Sequence, residues 1–362
     1  MFEIKKKYRA AVVGATGMVG QRLLTLLENH PYFDVTALAA SARSAGMTYA
    51  EAVGNRWKMD VALPEKFAIM TVLDANDIDS IKANADMVFC AVDMKDAEIK
   101  ALEESYAKAE LVVVSNNKSH RWTPDVPMLI PEINDAHLAV IDAQKKRLGT
   151  KHGFIVTKPN CSIQSYVPLL TPLMEFKPKT VVATTYQAIS GAGKTFNEWP
   201  EMIDNVIPYI GGEEEKSEKE PLRIWGKIEN DTIVAATEPV ITTQCIRVPV
   251  TNGHLAAVFV SFEEKPSKEQ ILKAWAEYKG EPQVLGLPSA PEQFITYFEE
   301  DNRPQTNTDR EIYGGMGITV GRLHEDTVYD YKFVGLSHNT LRGAAGGSVL
   351  TAELLAAKGY LD

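Results

Sequence analysis

Apolar runs alternate with helically spaced segments along the first 160 residues. YRAAVVGAT, from Tyr8, carries small and β-branched residues into a glycine and reads as a strand. VGQRLLTLLENH follows with Val19, Leu23, Leu24 and Leu27 on one face, a helix that Pro31 stops. FDVTALAAS, ADMVFCAVD, AELVVVSNN and GFIVTKPN are further apolar strand patterns, and DAEIKALEESYAKA is a helix between two of them. Strand and helix in alternation from residue 8 to about residue 160 predict an α/β fold, a Rossmann-like doubly wound parallel sheet.

Beyond Cys161 the pattern changes. TVVATTYQAIS and IRVPVTNGHLAAVFVSFEE are long strand patterns, the second holding the turn dipeptide Asn252-Gly253. They predict a second, α+β domain with a more antiparallel sheet and a two-residue hairpin at that turn. GGEEEKSEKEPLRIWGKI reads as a loop entering an exposed helix, and LRGAAGGSVLTAELLAAKGYL as a small-residue loop and a closing helix.

Composition narrows the function. The 362 residues carry 38 basic and 48 acidic side chains, net charge −10, which disfavours nucleic acid and anionic membrane surfaces as partners. Three scattered cysteines (Cys90, Cys161, Cys245) without a CxxC pair predict neither a disulfide framework nor a thiolate metal site. They fit a reducing compartment. The N-terminus has no signal-type apolar core, no run is long enough to span a bilayer, and a cytoplasmic protein is expected.

The first strand ends in GATGMVG. Gly14, Gly17 and Gly20, with Thr16, Met18 and Val19 between them, would bring backbone N–H groups to a pyrophosphate at a helix N-terminus. The bland alternative is a tight turn with no ligand. The second strand ends ALAASARSAG, lacking the acid that usually meets a ribose 2′-hydroxyl. Ser41, Arg43 and Ser44 suit a 2′-phosphate instead, so NADP is the expected cofactor.

Cys161, in KPNCSIQSY, is either inert core or a nucleophile. SIQSYVPLLTPLMEF reads as a helix, which Pro168 and Pro172 would shorten or kink. A cysteine at its start would have a lowered pKa. Cys90 and Cys245 lie in strand patterns and read as core. Across the predicted hairpin, Arg247 and His254 would project from one face and flank a small substrate; His254 alone could equally be a surface-turn histidine.

GATGMVGQR, SARSAG, SNNKSHR, PNCS, YQAISGAG, RVPVTNGH and HNTLRGAAG occur in this order. Together they resemble the aspartate-β-semialdehyde dehydrogenases, in particular the archaeal and fungal branch, over residues 8 to about 360. The resemblance implies that Cys161 forms a thioester, His254 is the acid–base catalyst and Gln187 orients the substrate. It implies Arg247 at the substrate α-carboxylate, Glu213 at its α-amino group, Lys216 and Arg121 at phosphate, and Asn160 beside the nucleophile. Ser190, Gly191 and Asn339 would lie at the nicotinamide end of NADP. On composition alone, Glu213 and Lys216 are equally an exposed pair in a charge run, Arg121 a surface residue and Gln187 a strand end. Two positions depart from the family's usual pattern: Lys158 stands for asparagine before PNC, and Met47 for lysine after SAG.

The family arrangement puts residues 1–156 and 336–362 in the NADP-binding domain and 157–335 in a catalytic and dimerisation domain, assembled as a homodimer or homotetramer. The expected reaction is NADPH-dependent reductive dephosphorylation of L-aspartyl-4-phosphate. The partners are then the acyl-phosphate or semialdehyde substrate and phosphate, with no metal, nucleic acid or membrane. The rival readings are a malonyl-CoA or acyl-CoA reductase on the same scaffold and a non-catalytic NADP-binding regulator.

Overall fold

Six short strands form one wholly parallel sheet: β1 (Tyr8–Val13), β2 (Phe33–Ala40), β3 (Val72–Asp74), β4 (Met87–Cys90), β5 (Val112–Ser115) and β6 (Phe154–Thr157). The computed structural model describes residues 7–362; the stretch 1–6, part of the N-terminal segment discussed above, lies outside them. The order is β3-β2-β1-β4-β5-β6, so the chain leaves β1 to one side for β2 and returns to its other side for β4. That switch point is where open α/β sheets bind ligands, at the carboxyl ends of the strands.

Both faces of this sheet are covered, which is why β4, β5 and β6 are buried throughout rather than alternating. Successive residues serve opposite faces. Val12 and Phe89 pack with Leu23, Leu24 and Leu27 of helix Met18–Leu27 and with Val349, Leu350 and Leu354 of helix Gly346–Ala357. Val13 and Cys90 pack with Leu102 and Tyr106 of helix Asp96–Lys108 on the other face. The last helix of the chain thus belongs to the core of the first sheet. Its approach is not the loop read from LRGAAGG, since a π-helical turn, Leu341–Ala345, runs straight into it.

The second half holds a mixed six-stranded sheet and a small ribbon, β8 (Lys227–Glu229) with β9 (Thr232–Val234). The large sheet comprises β7 (Pro178–Gln187), β10 (Val240–Arg247), β11 (His254–Phe262), β12 (Ile295–Phe298), β13 (Ile318–Glu325) and β14 (Tyr331–Ser337), in the order β10-β7-β11-β14-β13-β12. The hairpin predicted at Asn252-Gly253 does not form. β10 lies parallel to β7, β11 antiparallel to β7, and β7 separates them. The chain leaves the sheet after Arg247 because Pro249 has no N–H to continue a ladder. Residues 248–253 cross the end of β7, with Ile189 N–H donating to Val250 O at 2.9 Å.

One face of this sheet is core: Ala256, Val258 and Val260 pack with Val181, Trp275 and Phe333. The alternate positions Leu255, Ala257 and Phe259, beside Tyr186, are only partly covered. The segment EEEKSEKEPLRI is a helix from Glu213 itself to Ile224, and it is not an exposed one. Glu213, Ser217, Glu220 and Arg223 are buried on its inner face. Among the described residues no helix is long and apolar enough to cross a membrane.

Candidate active site

The turns after β1, β2, β4, β5 and β6 gather at one edge of the parallel sheet. The glycines between β1 and the first helix have distinct physical roles. Gly14 has φ +83°, and a Cβ there would lie 2.2 Å from Ala91 O; a Cβ on Gly20 would lie 2.3 Å from Gly14 O. Both are required by the chain's own packing. Gly17, the N-cap of helix Met18–Leu27, is different: a Cβ would meet only Gly14 O at 3.4 Å and otherwise face open space. That space is a cleft of ≈ 450 Å³ lined by Thr16, Gly17, Met18 and Val19 together with Asn116 and Asn117. A helix N-terminus, whose first N–H groups have no partner within the helix, opening on a cleft fits a dinucleotide pyrophosphate. Ser41, Arg43 and Ser44 occupy the largely exposed turn beyond β2, past the sheet edge and outside the lining of this cleft.

The cleft opens into a second cavity of ≈ 230 Å³ that shares Met18, Val19, Asn116 and Gly193 with it and holds Cys161, Asn160, Arg121, Ser190, Gly191 and Asn339. The predicted helix after Cys161 is in fact broken. A 3-10 turn (Ser162–Ser165), one α-turn (Val167–Leu170) and another 3-10 turn (Thr171–Phe176) follow one another. Pro168 and Pro172 each begin a short piece, the position where a missing N–H costs least. Cys161 therefore caps four 3-10 residues, too short a stack of aligned dipoles to lower its pKa. Burial, and then the carboxylate of Glu213, instead raise it to about 11, opposed by Lys158, Arg121 and Arg247. The expectation of a dipole-activated thiol is corrected accordingly. Gly343 packs directly on this cysteine; a Cβ there would sit 2.8 Å from Cys161 Cβ.

His254, the first residue of β11, is fully buried. Its Nε2 lies 3.5 Å from Cys161 Sγ, and its Nδ1 accepts the backbone N–H of Ala188 at 3.0 Å. The Ala188 donor assigns the ring proton to Nε2, facing the sulfur. Burial first, then the nearby Arg247 guanidinium, lower the His254 pKa to about 3. The imidazole is thus neutral and presents a donor.

Arg247 ends β10, where it pairs in register with Gln187 of β7, and it reaches the site across that strand rather than across a hairpin. A Cβ on Gly191 would lie 2.9 Å from Arg247 Nη1 and 3.1 Å from His254 Nε2, so one glycine covers both side chains. Arg247 is buried, donates to Ala188 O at 2.6 Å, and has no carboxylate partner among the described residues. A buried guanidinium without an anion is a site for one. Nearby, Glu213 accepts from Asn160 Nδ2 at 3.0 Å, Gln187 Nε2 at 3.4 Å and Lys216 Nζ at 2.6 Å. Lys216, expected at phosphate, here places an ammonium on Glu213. Asn160, expected to touch substrate, is engaged throughout: its Oδ1 accepts from Ser162 N and its backbone N–H donates to Glu220 Oε2 at 2.6 Å. Arg121 is held by Glu220 through Nη1 at 2.8 Å and by Lys158 O through Nε at 2.9 Å.

Ser190 and Asn339 are joined by a hydrogen bond of 2.8 Å from Asn339 Nδ2, and Asn339 Oδ1 accepts from Gly253 N–H at 2.8 Å. They tie the turn before His254 to the cavity wall. Reading the sequence missed Lys158, Asn116, Thr340 and Gly343 as cavity residues, and Glu220 as the anchor of Arg121. Asn116 and Lys158 follow strand ends, a position that would have marked them. Glu220 gave no signal within a charge run.

Comparisons with known proteins bear on the family of the chain. Residues 9–141 match the family described as semialdehyde dehydrogenase, NAD binding domain, and residues 170–342 match its dimerisation domain. The chain is 42% identical over 349 residues to aspartate-semialdehyde dehydrogenase of Methanothermobacter thermautotrophicus, covering 95% of this chain and 97% of that protein. It is 41% identical to the Schizosaccharomyces pombe protein of the same name, covering 98% and 99%. The crystal structure of Candida albicans aspartate semialdehyde dehydrogenase with NADP superposes with a TM-score of 0.88 at 37% identity, covering 98% of this chain and all of that one. With a parallel cofactor-type sheet, a mixed second sheet and a cysteine–histidine pair between them, the chain belongs to the aspartate-semialdehyde dehydrogenase family.

Proposed function

We propose that this chain catalyses reductive dephosphorylation of L-aspartyl-4-phosphate to L-aspartate 4-semialdehyde with NADPH, through a thioester on Cys161. The observation that carries it is the Cys161–His254 pair beside the buried Arg247, which has no carboxylate partner among the described residues, at the inner end of the dinucleotide cleft. Arg247 receives the substrate α-carboxylate. Glu213, which already accepts an ammonium from Lys216, receives the α-amino group. This pairing favours an amino-acid substrate over malonyl-CoA, which has no ammonium to offer Glu213.

The thiolate of Cys161 attacks the acyl carbon; the C–S bond forms and phosphate leaves with the C–O electron pair. Thr16, Gly17, Met18 and Val19 would hold the pyrophosphate of NADPH and Ser41, Arg43 and Ser44 its 2′-phosphate, and the bound cofactor would supply the hydride. His254 Nε2–H donates to the oxygen that becomes an alkoxide on the sulfur-bound carbon. That alkoxide collapses to the aldehyde and returns Cys161 as thiolate, with no net proton transfer. Neutral, the imidazole serves as an electrophilic donor and need not ionise. Gln187 and Asn160 keep Glu213 in place, and Ser190, Gly191 and Asn339 shape the nicotinamide end.

The partly covered face of the second sheet (Leu255, Ala257, Phe259) serves as the contact between two copies, in a homodimer or a tetramer built from it. The net charge and three free cysteines support a cytoplasmic setting. The deciding assay is NADPH formation at 340 nm from aspartate semialdehyde, NADP and phosphate or arsenate. Activity that requires the oxyanion and vanishes in Cys161→Ala, with NADPH binding retained, is expected. A fully active Cys161→Ala protein sinks the mechanism.

A further inference from the structure

Lys158 follows β6 directly. Its backbone N–H donates to Ser115 O at 2.9 Å, and its carbonyl holds Arg121. Only 4% of it is exposed, and it lines the same cavity as Cys161, three residues on. The stem lies against Gly347, where a Cβ would come within 2.8 Å of Lys158 Cε. Glycine there makes room for the lysine. Its Nζ is buried and has no hydrogen-bond partner among the described residues. Leaving an ammonium dry and unpaired is costly, so it implies a partner that comes and goes.

The charged and titratable groups facing it identify that partner. They are Cys161 on its own loop, Arg121 from the segment after β5, Glu220 from helix Glu213–Ile224 and Arg342 from the turn before the last helix. Glu220 is held by Arg121 Nη1 and by the N–H of Asn160. Arg342 is paired with Glu132. Of the anion-forming groups facing Nζ among the described residues, Glu220 is already ion-paired with Arg121 and the sulfur of Cys161 is in no ion pair. Neither a helix dipole nor His254, whose Nε2 already carries a proton, is there to take up the thiol's own.

We propose, on the reading that Cys161 is the nucleophile, that Lys158 is the counter-charge of its thiolate: the ammonium stabilises the sulfur in its reactive form. When the S–H bond breaks, the proton goes to water and the negative sulfur strengthens the hold of Nζ on its own proton. The two groups titrate as a coupled pair. Burial lowers the Lys158 pKa to about 7, and the Cys161 sulfur is the strongest influence opposing that fall. Among the groups that lower the Cys161 pKa, Lys158 ranks first, ahead of Arg121 and Arg247.

The test is the pH dependence of Cys161 alkylation by iodoacetamide, followed by mass spectrometry at that residue, in the wild-type chain, Lys158→Met and Lys158→Arg. It needs no substrate, so it reads the thiolate even if the assigned reaction is wrong. The expected result is a midpoint raised by about one pH unit or more in Lys158→Met, hence about tenfold slower alkylation at neutral pH, with Lys158→Arg near wild type. Lys158→Gln repeats the comparison should the methionine variant fail to fold. Superimposable profiles in folded wild-type and neutral variants overturn the proposal. An unmoved profile with a raised KM for phosphate also overturns it and assigns the ammonium to the leaving group instead.

Discussion

His254 Nε2 lies 3.5 Å from Cys161 Sγ while Ala188 N–H donates to the other ring nitrogen. The backbone donor forbids a proton on Nδ1, so the ring offers a hydrogen bond and has no free lone pair for the thiol. His254→Ala should therefore lower kcat by about 10²–10³-fold, the usual loss of one oxyanion donor. His254→Gln, whose amide also donates, should recover part of it. Equal inactivity of the two variants would favour proton transfer over hydrogen bonding. The kcat profile between pH 5 and 8 should show no limb that disappears with His254.

The same burial has a stability consequence. In the folded chain His254 titrates at about 3, against an ordinary 6.5. Between those values the unfolded chain binds a proton that the folded chain does not. Stability then falls as the pH drops from 6.5 toward 3, by up to about 1.4 kcal/mol per pH unit from this group. Denaturant unfolding at pH 7 and pH 4.5 should show a smaller loss for His254→Gln than for wild type.

Arg247 is buried without a carboxylate partner among the described residues, and it is the group proposed to receive the substrate carboxylate. Arg247→Lys keeps the charge and loses the planar fork, so KM for aspartate semialdehyde should rise at least tenfold with NADPH affinity unchanged. Isothermal titration with NADPH and steady-state kinetics separate the two; equal loss of both would indicate a structural role.

Gly17 and Gly14 differ in what requires them. Gly17→Ala has room in the protein and should fold with near wild-type Tm while binding NADPH weakly. Gly14→Ala would collide with Ala91 O and adopt an unfavourable φ, so its Tm should fall by several degrees. A Gly17→Ala protein with unchanged NADPH affinity would move the pyrophosphate elsewhere.

The partly covered sheet face gives a test of assembly. Ala257→Glu places a charge in the middle of that face, pointing away from the core. Analytical ultracentrifugation should show a shift toward smaller species, with the far-ultraviolet circular dichroism retained. Unchanged mass would locate the contact on another surface.

The sequence by itself determined the parallel sheet, the glycine turn and the buried strands, because each is written locally in a period of two or 3.6 residues and in turn-forming glycines. It also marked Cys161, Gln187, Arg247 and His254 as a constellation through motifs. How they meet was decided by tertiary structure. Arg247 and His254 come together across β7 and not across a hairpin, since strand order depends on long-range pairing that Asn252-Gly253 cannot encode. The helix expected after Cys161 yields to prolines and packing, and with it goes the dipole that was to activate the thiol. Lys158 was only a departure in a motif. Its buried and unpartnered ammonium exists because β6, Gly347 and the Arg121–Glu220 pair, far apart in the chain, close around it.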